Sequence, residues 1–288
     1  MTHLAAAAPT QFGRFQYVAV SQSSPLDAGG TTALAGASYL RTRLGDVRGA
    51  ATTLQLGISH DILRTLDETL TGSLGVDSFE SSTTFTGFAL ATDRVRALRV
   101  GAAYSVRGTD AAAAVNAAAA FGIAGFGAKA DDGLMGNPAF RKFALQAAYD
   151  RRVGEAFTLR LRGMAQYAAG RLPAEEFYTF GGTIGSAFAT GAIFGDDAAG
   201  GRAELAWRPP LPDCEPYAFL DGGGAWLKAR HALTLRSFDF ASAGGGVRFV
   251  LGGHAALEME GASGLAAEGP GLRTGTWRLS FALRIAAD

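Results

Sequence analysis

Residues 277–285 read Trp-Arg-Leu-Ser-Phe-Ala-Leu-Arg-Ile, so Trp277, Leu279, Phe281, Leu283 and Ile285 alternate with Arg278, Ser280, Ala282 and Arg284. Successive side chains of an extended strand point to opposite faces. This stretch, as a strand, has one continuous apolar face and one carrying two arginines and a serine. The same period of two returns along the chain. Leu54, Leu56 and Ile58 oppose Thr53, Gln55 and Ser59, while Leu98, Val100, Ala102, Tyr104 and Val106 oppose Arg99, Ser105 and Arg107. Phe143, Leu145, Ala147 and Tyr149 oppose Lys142, Gln146 and Asp150. Phe157, Leu159, Leu161 and Tyr167 oppose Arg160, Arg162 and Gln166, and Ala203, Leu205 and Trp207 oppose Arg202, Glu204 and Arg208. Wound into a helix, these segments would scatter their charges around the cylinder. The alanine-rich stretch 111–120 also permits helix, but Val115 and Gly122 suit a strand, and it is read as one.

The pattern predicts about 13 strands, most of about 9–13 residues, where strands of soluble domains average ~5–6 and tilted membrane strands need ~9–11. Short joins at 105–110, 151–155 and 208–215 contrast with long ones at 79–94, 125–139 and 169–201. Short turns at one end and long loops at the other mark an outer-membrane barrel. Tyr149, Tyr167, Trp207, Trp226 and Trp277 fall near strand ends, as aromatic girdles require. The expected fold is therefore all-β: an antiparallel transmembrane β-barrel of about 13–16 strands, one domain over residues 1–288, in a bacterial outer membrane. A soluble β-sandwich or lipocalin-like barrel is the competing architecture. Its close-packed core fits poorly with apolar faces built largely of Ala, Gly and Leu.

Composition narrows the function. The 26 Lys and Arg balance 26 Asp and Glu, with no polybasic patch for nucleic acid. No stretch approaches the ~18–20 apolar residues of a membrane helix. The single cysteine, Cys214, excludes an internal disulfide and a multi-cysteine zinc site. His3, His60, His231 and His254 are too far apart in sequence for metal-ligand spacing, and no catalytic serine elbow or His-Glu-x-x-His appears. Glu258 and Glu260 share a strand face and are read as lumenal charges balancing arginines. No catalytic residue, metal, nucleotide or cofactor is expected. The start, residues 1–10, lacks the cationic region of a signal peptide, so the chain is expected to be a mature or shortened piece.

The most informative segment is 172–205, LPAEEFYTFGGTIGSAFATGAIFGDDAAGGRAEL. A Gly-rich loop of about thirty residues in a compact architecture is usually functional. The pair Gly181-Gly182 is not a phosphate loop, because no Gly-Lys-Ser/Thr and no helix follow.

This segment resembles the sixth extracellular loop of two-partner secretion transporters, the haemolysin secretion/activation type, in the superfamily of the central outer-membrane assembly factor. The matching positions are Leu172-Pro173, Glu175 or Glu176, Phe177 or Phe180, Gly181-Gly182, Phe188, Gly195-Asp196 and Glu204-Leu205. A second family motif, Phe-x-Asp-x-Gly, is matched by Phe219, Asp221 and Gly223. The resemblance implies that the loop, about 169–201, folds into the lumen. In the family a loop arginine pairs there with the motif aspartate. Here Gly185-Ser186-Ala187-Phe188 stands in place of Val-Arg-Gly-Phe, so Ser186 replaces the arginine. Asp221 is then expected to be hydrated, or to borrow Arg202, Arg248 or another inward arginine.

The family also carries two periplasmic POTRA modules and a sixteen-stranded barrel. About eight strands are read before the loop where the family has eleven, and about five after it. The chain is either a reduced barrel or an N-terminally truncated sixteen-stranded one. The resemblance implies passage or insertion of an unfolded passenger polypeptide by a monomer in outer-membrane lipid, with neither nucleic acid nor nucleotide. Arg99, Lys142, Arg160, Arg162, Arg202, Glu204 and Arg278 would line the lumen. A passive porin, an autotransporter barrel and an outer-membrane enzyme remain the alternatives. The last strand is expected to pair with the first and shut the barrel.

Overall fold

The computed structural model describes residues 2–7, 15–86, 88–130, 136–209, 213–230, 237–251 and 255–285. The strands are β1 (Thr2–Ala7), β2 (Phe15–Pro25), β3 (Thr32–Leu44), β4 (Val47–Arg64), β5 (Glu68–Phe85), β6 (Phe88–Arg107), β7 (Ala111–Gly122), β8 (Lys129–Ala130), β9 (Arg141–Val153), β10 (Phe157–Ala168), β11 (Tyr178–Phe180), β12 (Ile193–Gly195), β13 (Asp197–Trp207), β14 (Cys214–Trp226), β15 (Ser237–Leu251), β16 (Ala255–Glu268) and β17 (Trp277–Ile285). One 3-10 turn, Ala174–Glu176, is the only helical element among the described residues. No helix among them is long and apolar enough to cross a membrane; the strands supply the crossing.

The main sheet is an up-and-down antiparallel meander in the order β1-β2-β3-β4-β5-β6-β7-β9-β10-β13-β14-β15-β16-β17. Each strand thus pairs with its neighbours in sequence, as in outer-membrane barrels. Nine of these strands precede the long loop, one more than the alternation indicated, and five follow it. The alanine run forms β7, paired from Ala112 to Gly122 with β6. β17 pairs with β16 from Trp277 to Ile285. The expected seam between β17 and β1 falls outside the ladder that the described residues form.

Pairing carries the two faces around the sheet without a break. Residues directly opposite in a ladder share a face. The rows Leu54–Ser78, Leu56–Val76 and Ile58–Leu74 continue into Leu98 and Val100 on β6. This outward face holds the exposed large apolar side chains, including Leu56, Leu220, Leu279 and Phe281. Lipid is their solvent. Tyr167, Trp226 and Trp277 cap it at the long-loop end, and Trp207 at the other. The inward face differs from one side of the wall to the other. On β3, β4 and β5 it is mainly neutral and hydroxylic, with Ser38, Thr53, Gln55, Ser59 and Ser73. On β10, β13, β14, β15 and β16 it is crowded with arginine and glutamate.

Residues 79–94, read above as a long loop, are instead a hairpin. Phe79 pairs with Val95, and the ladder continues through a register shift at Thr83/Thr84 to Phe85–Phe88. Its outward positions are polar, and Glu80 and Arg96 form an ion pair there. The polar composition marks the end of the lipid band, whereas the β-branched threonines let the strands run on beyond it. The long loop is also shorter than expected, because residues 197–201 already belong to β13.

An arginine on the lipid face near the membrane midplane costs about 2–4 kcal/mol. Leu220→Arg, at the centre of β14, should lose that much in urea unfolding from lipid vesicles. Gln55→Arg, on the inward face opposite Asp77, should leave the unfolding midpoint nearly unchanged.

Candidate functional site

Between β10 and β13 the chain leaves the wall at Ala169, turns inward, and returns at Asp196. It folds on itself as a hairpin, with Tyr178–Phe180 paired to Ile193–Gly195. Its apolar side chains are buried against the inward face of β15. Phe180 and Phe188 meet Phe240 edge-on at 4.8 and 5.8 Å between ring centres, and Phe194 lies 5.2 Å from Phe238. Phe177 stacks on Phe194 at 5.8 Å. Phe180 also lies over Gly200 of β13, where a Cβ would come within 2.8 Å of the ring. Gly181, at φ +109°, makes the turn that no residue with a side chain adopts easily.

The first leg is held by charge. The Glu176 carboxylate pairs with Arg99 of β6 at 2.6 Å and Lys142 of β9 at 2.6 Å. The Glu176 carbonyl accepts from Lys142 Nζ at 3.0 Å and Gln166 Nε2 at 3.2 Å. Burial alone would raise this carboxyl, but Lys142 and Arg99 outweigh it and hold it below the usual carboxylate range.

The second leg ends in a denser knot. Asp196 is fully buried. Its Oδ1 accepts from the Leu172 N–H at 2.6 Å and from Arg230 Nη2 at 2.9 Å. Its Oδ2 accepts from the Lys228 N–H at 2.8 Å and from Arg230 Nη1. Arg230 also donates to the Leu172 carbonyl at 2.9 Å and lies over the Phe177 ring at 4.9 Å. The two side chains are 1% and 0% exposed, so removing either charge alone strands its partner at a cost of about 3–5 kcal/mol.

The tip, residues 181–192, meets the second motif. Phe219, Asp221 and Gly223 alternate inward on β14, and Asp221 is buried. Asp221 accepts from the Gly185 N–H at 2.9 Å and from Ser242 Oγ of β15. These donors stand where an inward arginine such as Arg202 or Arg248 was expected. The loop's own backbone supplies the donor. Ser186 instead accepts from Arg202 at 3.0 Å, whose guanidinium lies 3.6 Å above the Phe219 ring. Arg278 of β17 donates to the Phe188 carbonyl at 2.6 Å.

Beyond the tip, toward the short-turn end, the inward charges form one network. Glu204 binds Arg160 at 2.9 Å, Arg202 at 3.0 Å and Arg248 at 2.6 Å. Glu260 binds Arg202 at 2.7 Å, and Glu258 binds Arg248 at 3.0 Å. Glu215 adds Arg160 at 2.7 Å. Tyr217 donates to both Glu258 and Glu260. Arg162 stands apart, paired with Asp150 of β9 at 2.5 Å. A cavity of about 530 Å³ opens between this network, β17 and the loop tip at Gly182, Thr183 and Ser186.

The structure thus brings Gly181, Gly182, Ser186, Phe188, Asp221 and Phe219 together around the tip, and Gly195 and Asp196 around the base. Lumenal Arg160, Arg162, Arg202, Glu204 and Arg278 line one cavity, and Arg99 of β6 lies at the first leg. Arg230 and Ser242 carried no signal in the sequence. Arg230 sits in a loop with no periodicity, and Ser242 is one small polar residue in a Gly-rich strand. His60 hydrogen-bonds Thr31 at 2.9 Å; the side chain of His3, and His231 and His254, lie outside the described residues. Among the described residues no cluster of His, Cys, Asp and Glu could hold a metal ion.

Residues 38–249 match the family model described as haemolysin secretion/activation protein ShlB/FhaC/HecB. The fold is similar to CdiB from Escherichia coli, at 20% identity and a TM-score of 0.77 over 94% of this chain and 53% of that one. CdiB from Acinetobacter baumannii gives 15% and 0.73 over 94% and 50%. BamA from Haemophilus ducreyi lacking POTRA domains 1-3 gives 11% and 0.67 over 94% and 62%. At such identities the likeness is one of fold, and the chain spans about half the length of the CdiB structures it matches. No curated protein matches its sequence.

The lowered pKa of Glu176 fixes a sign. Its contribution to loop docking is complete above the ordinary glutamate value of ~4.3 and is lost as pH falls through the lower folded value. Hydrogen-exchange protection of amides 174–180, relative to intrinsic rates, should therefore be full at neutral pH and fall only in stronger acid. Glu176→Gln should lower it at neutral pH; equal protection in the variant would count against the ion pairs as the anchor.

Proposed function

Because the chain belongs to the haemolysin secretion/activation protein family, we propose that it is the barrel of an outer-membrane transporter that passes an unfolded passenger polypeptide, with residues 172–195 as a displaceable plug. The observation that carries this reading is the reach of the loop. Its first leg is paired to Arg99 and Lys142 on β6 and β9, while its tip touches β14, β15 and β17. A segment bridging distant parts of the inward wall obstructs the path along it.

The chemistry needed is modest. An extended chain must be kept solvated, and inward hydroxyls on one side with paired charges on the other provide hydrogen-bonding partners without a strong net field. No bond is made or broken, and no residue is assigned a catalytic role. The passenger's folding outside the cell supplies the free energy, since anything that removes unfolded chain from the exit pulls the transfer forward. Periplasmic recognition of the passenger is left to parts of the longer family proteins that this chain does not span.

Replacing residues 181–192 by a two-residue turn keeps the β11–β12 hairpin and removes the tip. Single-channel conductance in planar bilayers should rise several-fold, to that of an open barrel of this size. An unchanged conductance would defeat the plug. Comparing proteins secreted with and without the gene separates transport from passive permeation: a porin would leave the secreted set unaltered.

A further inference from the structure

Arg230 belongs to neither leg of the plug, nor to either strand that carries it. It comes from the segment after β14, yet it is 5% exposed and its guanidinium contacts both ends of the plug. One amino group reaches the Leu172 carbonyl, where the loop turns inward, and both reach the Asp196 carboxylate, where the loop rejoins the wall. Asp196 closes the ring by accepting the Leu172 N–H. Gly195 lets the strand come this close, because a Cβ there would lie 2.7 Å from the Trp226 nitrogen.

We propose that Arg230 is the positioning residue of the plug: it clamps both legs at the extracellular mouth, so the finger between them swings on a fixed base. The inference rests on the plug reading above. The contrast with the other anchors is one of solvent. The Arg99 side chain that holds Glu176 is 41% exposed, and Arg278 and Asp221 hold the tip through backbone groups of residues 185, 186 and 188. Those contacts can be exchanged for water or for polar groups of a passing chain. The Arg230–Asp196 pair has no such substitute, because its side chains are 1% and 0% exposed and bond to each other and to the Leu172 and Lys228 backbone. A displaced finger therefore keeps its base and can return.

The test uses planar-bilayer recordings of the purified full-length protein, with heat-modifiable mobility on gels as the check that the barrel is folded. Arg230→Met keeps an unbranched apolar stem and removes the charge. The open fraction should rise at least about tenfold, and Arg230→Lys should restore part of the closure. If Arg230→Met does not fold, Asp196→Asn with Arg230→Met removes both charges, leaves none stranded, and should fold with the same excess of openings. Wild-type closure in either folded variant overturns the proposal. If removing residues 181–192 opens the pore but these variants stay closed, the clamp alone is wrong. If neither opens it, the plug reading has failed.

Discussion

A peptide group in the hydrocarbon of a bilayer has no water to bond to, and the rest of the molecule follows from that. Each strand must find its partners in its neighbours, which gives an uninterrupted meander. The side chains divide accordingly, with Leu220 and Phe281 toward lipid and Asp221 and Ser280 away from it. Once one face is committed to lipid, every charge the chain carries at that depth goes to the other. This accounts for six ionisable residues of β10, β13, β15 and β16 sharing one network around Glu204 and Arg248.

Crowded charges of both signs make the inward wall adaptable. Ser186 stands where the family motif has arginine, but Asp221 is not left an orphan. Asp221 takes backbone donors of the loop and the Ser242 hydroxyl, while Arg202 reaches from β13 to the Ser186 hydroxyl and covers Phe219. A cation remains near the tip, delivered by the wall. The arrangement joins neutral groups to charged ones, each bond stronger than a neutral pair but none a direct ion pair between loop and wall at this point. Firm ionic anchoring is displaced to the two legs, at Glu176 and Asp196.

The strands were legible because lipid and lumen demand opposite chemistry at every second residue. That signal fails where the demand stops. Beyond the membrane band Ser81, Thr83 and Thr84 have water on both faces, so residues 79–94 look like loop although their ladder continues. The loop's motif positions could be singled out because Gly181, Phe188 and Asp196 carry distinctive chemistry. Their partners could not. Whether Asp221 meets a guanidinium, water or an amide depends on the loop's path, and a period-two pattern does not encode it. Arg230 is the clearest case: its role arises from three segments that only the folded chain brings together.

That convergence constrains the length of the chain as well as its chemistry. Surface loops ordinarily absorb insertions and deletions with little penalty. Only Leu227, Lys228 and Ala229 separate the end of β14 from Arg230, and the Lys228 N–H is itself spoken for by Asp196. One residue added or lost here would carry the guanidinium past its carboxylate. This short stretch therefore behaves as a ruler, its length set by the pair it joins.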